Sequence, residues 1–189
     1  MNNLYQRLNE EVEAWREGGY QSSYPAIKSI LEFNQNNFLR KAQLEALETY
    51  WYLRLVKNTP NIYDLYKEYF PGKLLFEAFG IYDLVEKLPE DLITPEFTHS
   101  ILEKIKNDDV FVKQHKLEAL RETLLLAYPS YILALAMGAG KTILVSSIIA
   151  TEFSLALEYQ DNDGIFIKNA LVFAPGKTIL GALKEVAET

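Results

Sequence analysis

The chain has 189 residues, 49% of them hydrophobic, 24% charged and 13% aromatic, with a net charge of −7. Collagen-like and broadly disordered chains are excluded by these proportions, and the length suits one domain or one domain plus part of another. With no cysteine there is no disulfide scaffold, thiol nucleophile or Cys-ligated metal, and the two histidines, His99 and His115, leave little for a His-based metal centre or a Ser-His-Asp triad.

The charge is spread as 15 basic against 20 acidic side chains over residues 1–130 and 4 against 6 over 131–189. No bulk basic field attracts nucleic acid, so any phosphate contact must come from local geometry. The first fifteen residues lack the basic start and apolar core of a signal peptide. Residues 124–137 form the longest nearly apolar stretch, but it is 14 residues long and contains Pro129 and Ser130, too short and broken to span a bilayer. A cytoplasmic protein without a membrane partner is expected.

Leu4, Leu8, Val12 and Trp15 form one stripe of an amphipathic helix over residues 3–17, ended by Gly18 and Gly19. A short helix is expected over 25–33. A long one runs over 38–57, with Leu44, Leu47, Trp51 and Leu55 along one face, and stops at Asn58, Thr59 and Pro60. Tyr50, Trp51 and Tyr52 fit core and boundary packing on this helix better than a base-stacking platform. From 61 to 128 the pattern stays helical in short pieces, punctuated by Pro71, Gly72, Gly80, Pro89, Pro95 and Asn107 to Asp109. The last of them is read as one helix over 112–128. Lys104, Lys106, Lys113, Lys116 and Arg121 are interleaved with Glu103, Asp108, Asp109, Glu118 and Glu122, as on a solvated face of mixed charge rather than a basic strip.

At Pro129 the character changes. The apolar run 131–136 reads as a strand leading into Gly138, Ala139, Gly140, Lys141 and Thr142, followed by an almost wholly apolar helix over 143–157. After the polar turn 160–164, a second apolar run over 170–174 breaks at Pro175 and Gly176, and a helical pattern continues through Ile179, Leu180, Leu183 and Val186. Strand, helix, strand, helix is the opening of a parallel α/β sheet. Two domains follow from this: an all-helical region over 1–130 and the first part of an α/β domain over 131–189. Parallel sheets normally have several strands covered on both faces, so the chain is read as stopping inside that domain.

The glycine loop carries chemistry. Gly138 and Gly140 allow a tight turn with backbone N–H groups facing inward, Lys141 supplies a point charge for β- and γ-phosphates, and Thr142 offers a hydroxyl to Mg²⁺. The general pattern G-x-x-x-x-G-K-[ST] places glycine where this chain has Leu135.

Residues 136–142 resemble motif I of superfamily 2 helicases, whose loop does not require that first glycine. Residues 170–179 resemble their motif Ia. Residues 38–47 are similar to the L-R-x-x-Q-x-E-A-L element that plays the Q-motif role in the superfamily. In this order the three elements most resemble the motor subunit of type III restriction enzymes. The resemblance implies a RecA-like P-loop parallel-sheet domain, of which this chain would hold the first half. ATP and Mg²⁺ would be its cofactors, bound by Gly138, Ala139, Gly140, Lys141 and Thr142, with Gln43 reading the adenine edge and Arg40 supporting that pocket or the phosphates. Lys177 and Thr178, at the motif Ia turn, would contact the nucleic-acid backbone. A solvated helix face is the alternative for Arg40 and Gln43, as is a simple helix start for Lys177 and Thr178. Duplex DNA would be the partner, together with a modification (methyltransferase) subunit.

Gln43 stands 95 residues before Gly138, so residues 58–130 read as a helical insertion. No D-E-x-x strand end follows Thr142, and the second motor lobe with its arginine finger is missing. The chain is expected to position a nucleotide without hydrolysing it efficiently, as the N-terminal part of an ATP-dependent DNA helicase or translocase. The rival readings are a non-catalytic remnant that binds nucleotide or a partner, and a P-loop NTPase unrelated to nucleic acid.

Overall fold

A computed structural model describes residues 3–37, 39–161 and 164–173. Among the described residues the elements are nine α-helices and two short 3-10 turns, with no strand. The helices are α1 Leu4–Glu17, α2 Ala26–Asn37, α3 Lys41–Leu55, α4 Ile62–Tyr69, α5 Lys73–Ala78, α6 Pro95–Asn107, α7 Asp109–His115, α8 Glu118–Leu124 and α9 Lys141–Glu158. No described helix is long and apolar enough to cross a membrane.

This corrects the expected α/β class. Residues 131–136 and 170–173 were both expected as strands of a RecA-like parallel sheet, and both run as irregular chain. A strand exists only through a ladder of hydrogen bonds to a neighbouring strand, and apolar composition alone does not supply the neighbour. Leu171 and Phe173 remain 80% and 84% exposed. Ala174 and the helical pattern at 179–186 lie outside the described residues.

Two compact units make up the chain: Met1–Arg7 with Thr59–Ile132, and Leu8–Asn58 with Leu133–Thr189. The first unit is closed by a core of Phe76, Ile81, Val85, Ile93, Leu102, Ile105, Val112 and Leu117. Its helix ends are set by local chemistry. Thr94 Oγ1 accepts from Phe97 N–H at 3.2 Å, with Pro95 in the first turn of α6, where its missing N–H costs nothing. One carboxylate oxygen of Asp108 accepts from Val110 and Phe111 N–H, both at 3.0 Å, and starts α7. The single helix expected over 112–128 is two helices, because Lys116 takes a left-handed conformation (φ 55°, ψ 49°) that ends α7. Arg7 ties the N-terminus to this unit, donating to Tyr69 O at 2.7 Å and lying over the Phe70 ring at 4.8 Å.

In the second unit, α3 is the central element. Gln43, Leu44, Leu47, Glu48, Trp51, Tyr52 and Leu53 are all buried, a spread too wide for one amphipathic stripe and typical of a helix enclosed by its neighbours. On one side, α1 brings Trp15 against Tyr52 at 5.7 Å between ring centroids. On another lies α9, which presents Leu144, Ser147, Thr151, Glu152, Leu155 and Ala156 as its buried residues. Beyond α9 the chain turns back, and the buried ring of Phe166 meets Tyr24 edge-on at 4.8 Å and lies 6.2 Å from Trp51.

Candidate functional site: the glycine loop and its helical braces

The loop at residues 136–140 turns on two glycines. Gly138 and Gly140 have φ of +77° and +78°, a region that costs an L-residue about 1–2 kcal/mol and glycine nothing. Among the described residues a Cβ on Gly138 would meet nothing within 4 Å. Ala139 N–H donates to Ala136 O at 3.2 Å and closes the turn.

Lys141 begins α9, and Gly140 has no side chain to cap the helix. Among the described residues no side chain caps the N–H groups of the first helical turn, and the positive end of the helix dipole lies behind them. Lys141 Nζ reaches back five residues to donate to Ala136 O at 3.0 Å, so its ammonium stands over the loop. Thr142 is half-buried on the same turn.

Gln43 meets this loop from α3. Its side chain is 2% exposed. Nε2 donates to Gly140 O at 3.0 Å, and Oε1 accepts from Arg40 N–H at 2.8 Å, which helps start α3. Arg40 itself is exposed, one residue before α3. The structure thus brings together Gln43, Gly138, Ala139, Gly140, Lys141 and Thr142. Phe38, Lys177 and Thr178 lie outside the described residues.

Twelve residues along α9 from Gly140, about 18 Å of helix, a second tie holds the same two helices. Glu152 is fully buried, and its carboxylate accepts from Arg54 Nε at 2.9 Å, Tyr50 Oη at 2.5 Å and Ile167 N–H at 3.0 Å. Arg54 also donates to Ile165 O at 2.7 Å. Gln43 pairs with Gly140 and Arg54 with Glu152, so α3 and α9 run in the same direction. A matching cluster fixes α3 to α1: the fully buried Glu48 accepts from Arg16 Nε at 2.8 Å and Tyr20 Oη at 2.5 Å.

None of these six clamp residues was singled out in the sequence as functional. A signal existed for two of them: Glu152 is the lone charge in the apolar run 143–157. For Glu48 the sign was its place beside Leu44, Leu47 and Trp51 on the face of α3 that turns inward.

Burial, and then the hydrogen bond to a carboxylate, push the phenols of Tyr20 and Tyr50 well above their ordinary value of 10.0. Their raised folded pKa gives stability that is complete below pH 10 and is lost as pH climbs through the folded values, because the unfolded chain releases its phenolic protons first. Thermal melts should therefore show the midpoint falling from about pH 10 upward. The double substitution Tyr20→Phe and Tyr50→Phe should flatten that slope; an unaltered slope would show that these two phenols do not control it.

The donor types gathered at the loop, an ammonium, a hydroxyl and the N–H groups of a helix start, are those that suit a polyphosphate. Among the described residues no group of three or more His, Cys, Asp or Glu is placed to hold a metal.

No family model, no curated protein and no solved structure matches this chain.

Proposed function

We propose that the loop at residues 136–142 binds the triphosphate of ATP together with Mg²⁺, and that the chain serves in an ATP-dependent motor acting on duplex DNA in the cytoplasm. The observation that carries this reading is the position of Lys141, whose ammonium lies over a loop of two left-handed glycines at the start of an uncapped helix. The DNA part rests on the resemblance to restriction motors stated above.

In this reading Lys141 exchanges its bond to a neutral carbonyl for one to phosphate oxygen, and a bond between two charged partners is roughly twice as strong as a neutral one. Backbone N–H groups at the start of α9 orient the phosphate chain, and Gly138 lets it approach the backbone closely. The Thr142 hydroxyl would be one ligand of a Mg²⁺ ion, which would supply neutralisation of the phosphate charge. The family resemblance offers Gln43 and Arg40 as the base-side residues, and Lys177 and Thr178 are the proposed contacts to the DNA backbone.

Lys141→Ala should weaken ATP binding by about 1.5–3 kcal/mol, the range for a hydrogen bond to a charged group, measured by calorimetric titration in the presence of Mg²⁺. Unchanged affinity would remove the nucleotide reading. The exposed apolar side chains Met137, Leu171 and Phe173 favour a second reading, a non-catalytic chain that binds nucleotide or a partner. The two separate on duplex DNA: a motor segment binds it with a salt dependence that Lys177→Ala lessens by about one ion, whereas a chain that binds only nucleotide or a protein partner does not bind it.

A further inference from the structure

The Gly140 carbonyl accepts two hydrogen bonds, from Leu144 N–H within α9 at 3.2 Å and from Gln43 Nε2 at 3.0 Å. Together they fix the plane of the peptide joining Gly140 to Lys141. A trans peptide places its N–H opposite its carbonyl, so the Lys141 N–H is held pointing out of the helix start, on the side where phosphate would bind. The fit is close: a Cβ on Gly140 would come within 2.3 Å of Gln43 Nε2. The amide of Gln43 is engaged at both ends and buried, so an adenine edge does not reach it while these bonds hold.

From this geometry we infer that Gln43 is a positioning residue for the phosphate loop, setting affinity for polyphosphate of any kind rather than choosing the base. The inference rests on the nucleotide reading above and gives Gln43 a different task from the base recognition that the family resemblance implies. Gln43 acts through the Gly140 peptide. It spans the 97 residues between the two in sequence with one hydrogen bond, which couples α3 to the loop.

Gln43→Glu isolates the brace. It keeps an oxygen to accept from Arg40 N–H but replaces the donor facing Gly140 O by a second acceptor, which repels the carbonyl. The test uses the full chain, with hydrogen exchange read at residues 138–142 and titrations with Mg²⁺-ATP, Mg²⁺-tripolyphosphate and adenosine. The expected result is faster exchange in the loop and an equal loss of affinity for ATP and tripolyphosphate, about tenfold for one lost hydrogen bond and an added repulsion.

ATP weakened with tripolyphosphate unchanged would make Gln43 a base reader and overturn the inference, while leaving the nucleotide site in place. Unchanged exchange, or unchanged affinity for both ligands, would overturn it as well. A wild-type chain that binds neither ligand would overturn the nucleotide reading and this inference with it. Should Gln43→Glu melt below the assay temperature, Gln43→Met carries the same test, since it is of similar length and lacks the donor without adding charge.

Discussion

Arg54→Ala should destabilise the second unit by about 3 kcal/mol, at the low end of the cost of breaking a buried ion pair. The cost arises less from the lost attraction than from what remains: Glu152 stays fully buried with Tyr50 Oη and Ile167 N–H as its remaining bonds. The figure sits at the low end because the Arg54 side chain is 22% exposed, so water can enter part of the space it leaves. Ile165 O also loses its donor, and the turn after α9 loses one of its two ties to the cluster. Urea unfolding of Arg54→Ala measures the effect, and the double variant Arg54→Ala with Glu152→Leu identifies its source. If the stranded carboxylate carries the cost, the double variant recovers a substantial part of it. A double variant less stable than Arg54→Ala alone would show that packing around the pair matters more than its charge.

Trp51→Ala should cost about 3–5 kcal/mol, the range for emptying a buried aromatic site. Trp51 is the largest of the fully buried side chains and stands among Tyr50 at 5.2 Å, edge-on, and Phe166 at 6.2 Å. A marginal fold of 5–15 kcal/mol total stability would lose a large share of it. Among the described residues its indole N–H has no hydrogen-bond partner, an arrangement that costs free energy. Trp51→Phe should therefore lose much less than the change in volume alone implies, because it removes the unpaired donor along with the second ring. The comparison is made by thermal melts of both variants. A loss in Trp51→Phe as large as the lost ring volume alone implies would mean that the unpaired N–H carries no penalty.

Local rules made parts of this molecule readable in advance. The stripe of Leu4, Leu8, Val12 and Trp15 marks α1, and the apolar run after Thr142 marks α9, because a helix closes its hydrogen bonds within four residues of itself. Glycines at 138 and 140 marked a tight turn for an equally local reason: both adopt positive φ. The break at Lys116 was not legible, since a left-handed lysine has no compositional signature and the apolar pattern from Val112 through Leu117, Leu120 and Leu124 kept the helical period. Nor was the fate of residues 131–136 and 170–173. Their composition states only that they are apolar, whereas a strand also needs a partner whose identity is written elsewhere in the chain.

The candidate site divides along the same line. The residue types around the loop, the ammonium of Lys141, the hydroxyl of Thr142 and the two glycines were determined by sequence alone, because their chemistry and spacing lie within five consecutive positions. Tertiary structure alone decided that Gln43 faces the Gly140 carbonyl, and that Glu48 and Glu152 are buried beside Arg16 and Arg54 instead of lying in solvent. Burial and pairing of charges are properties of neighbours brought together by folding, and a carboxylate stays ionised in a core only where an arginine and other donors surround it.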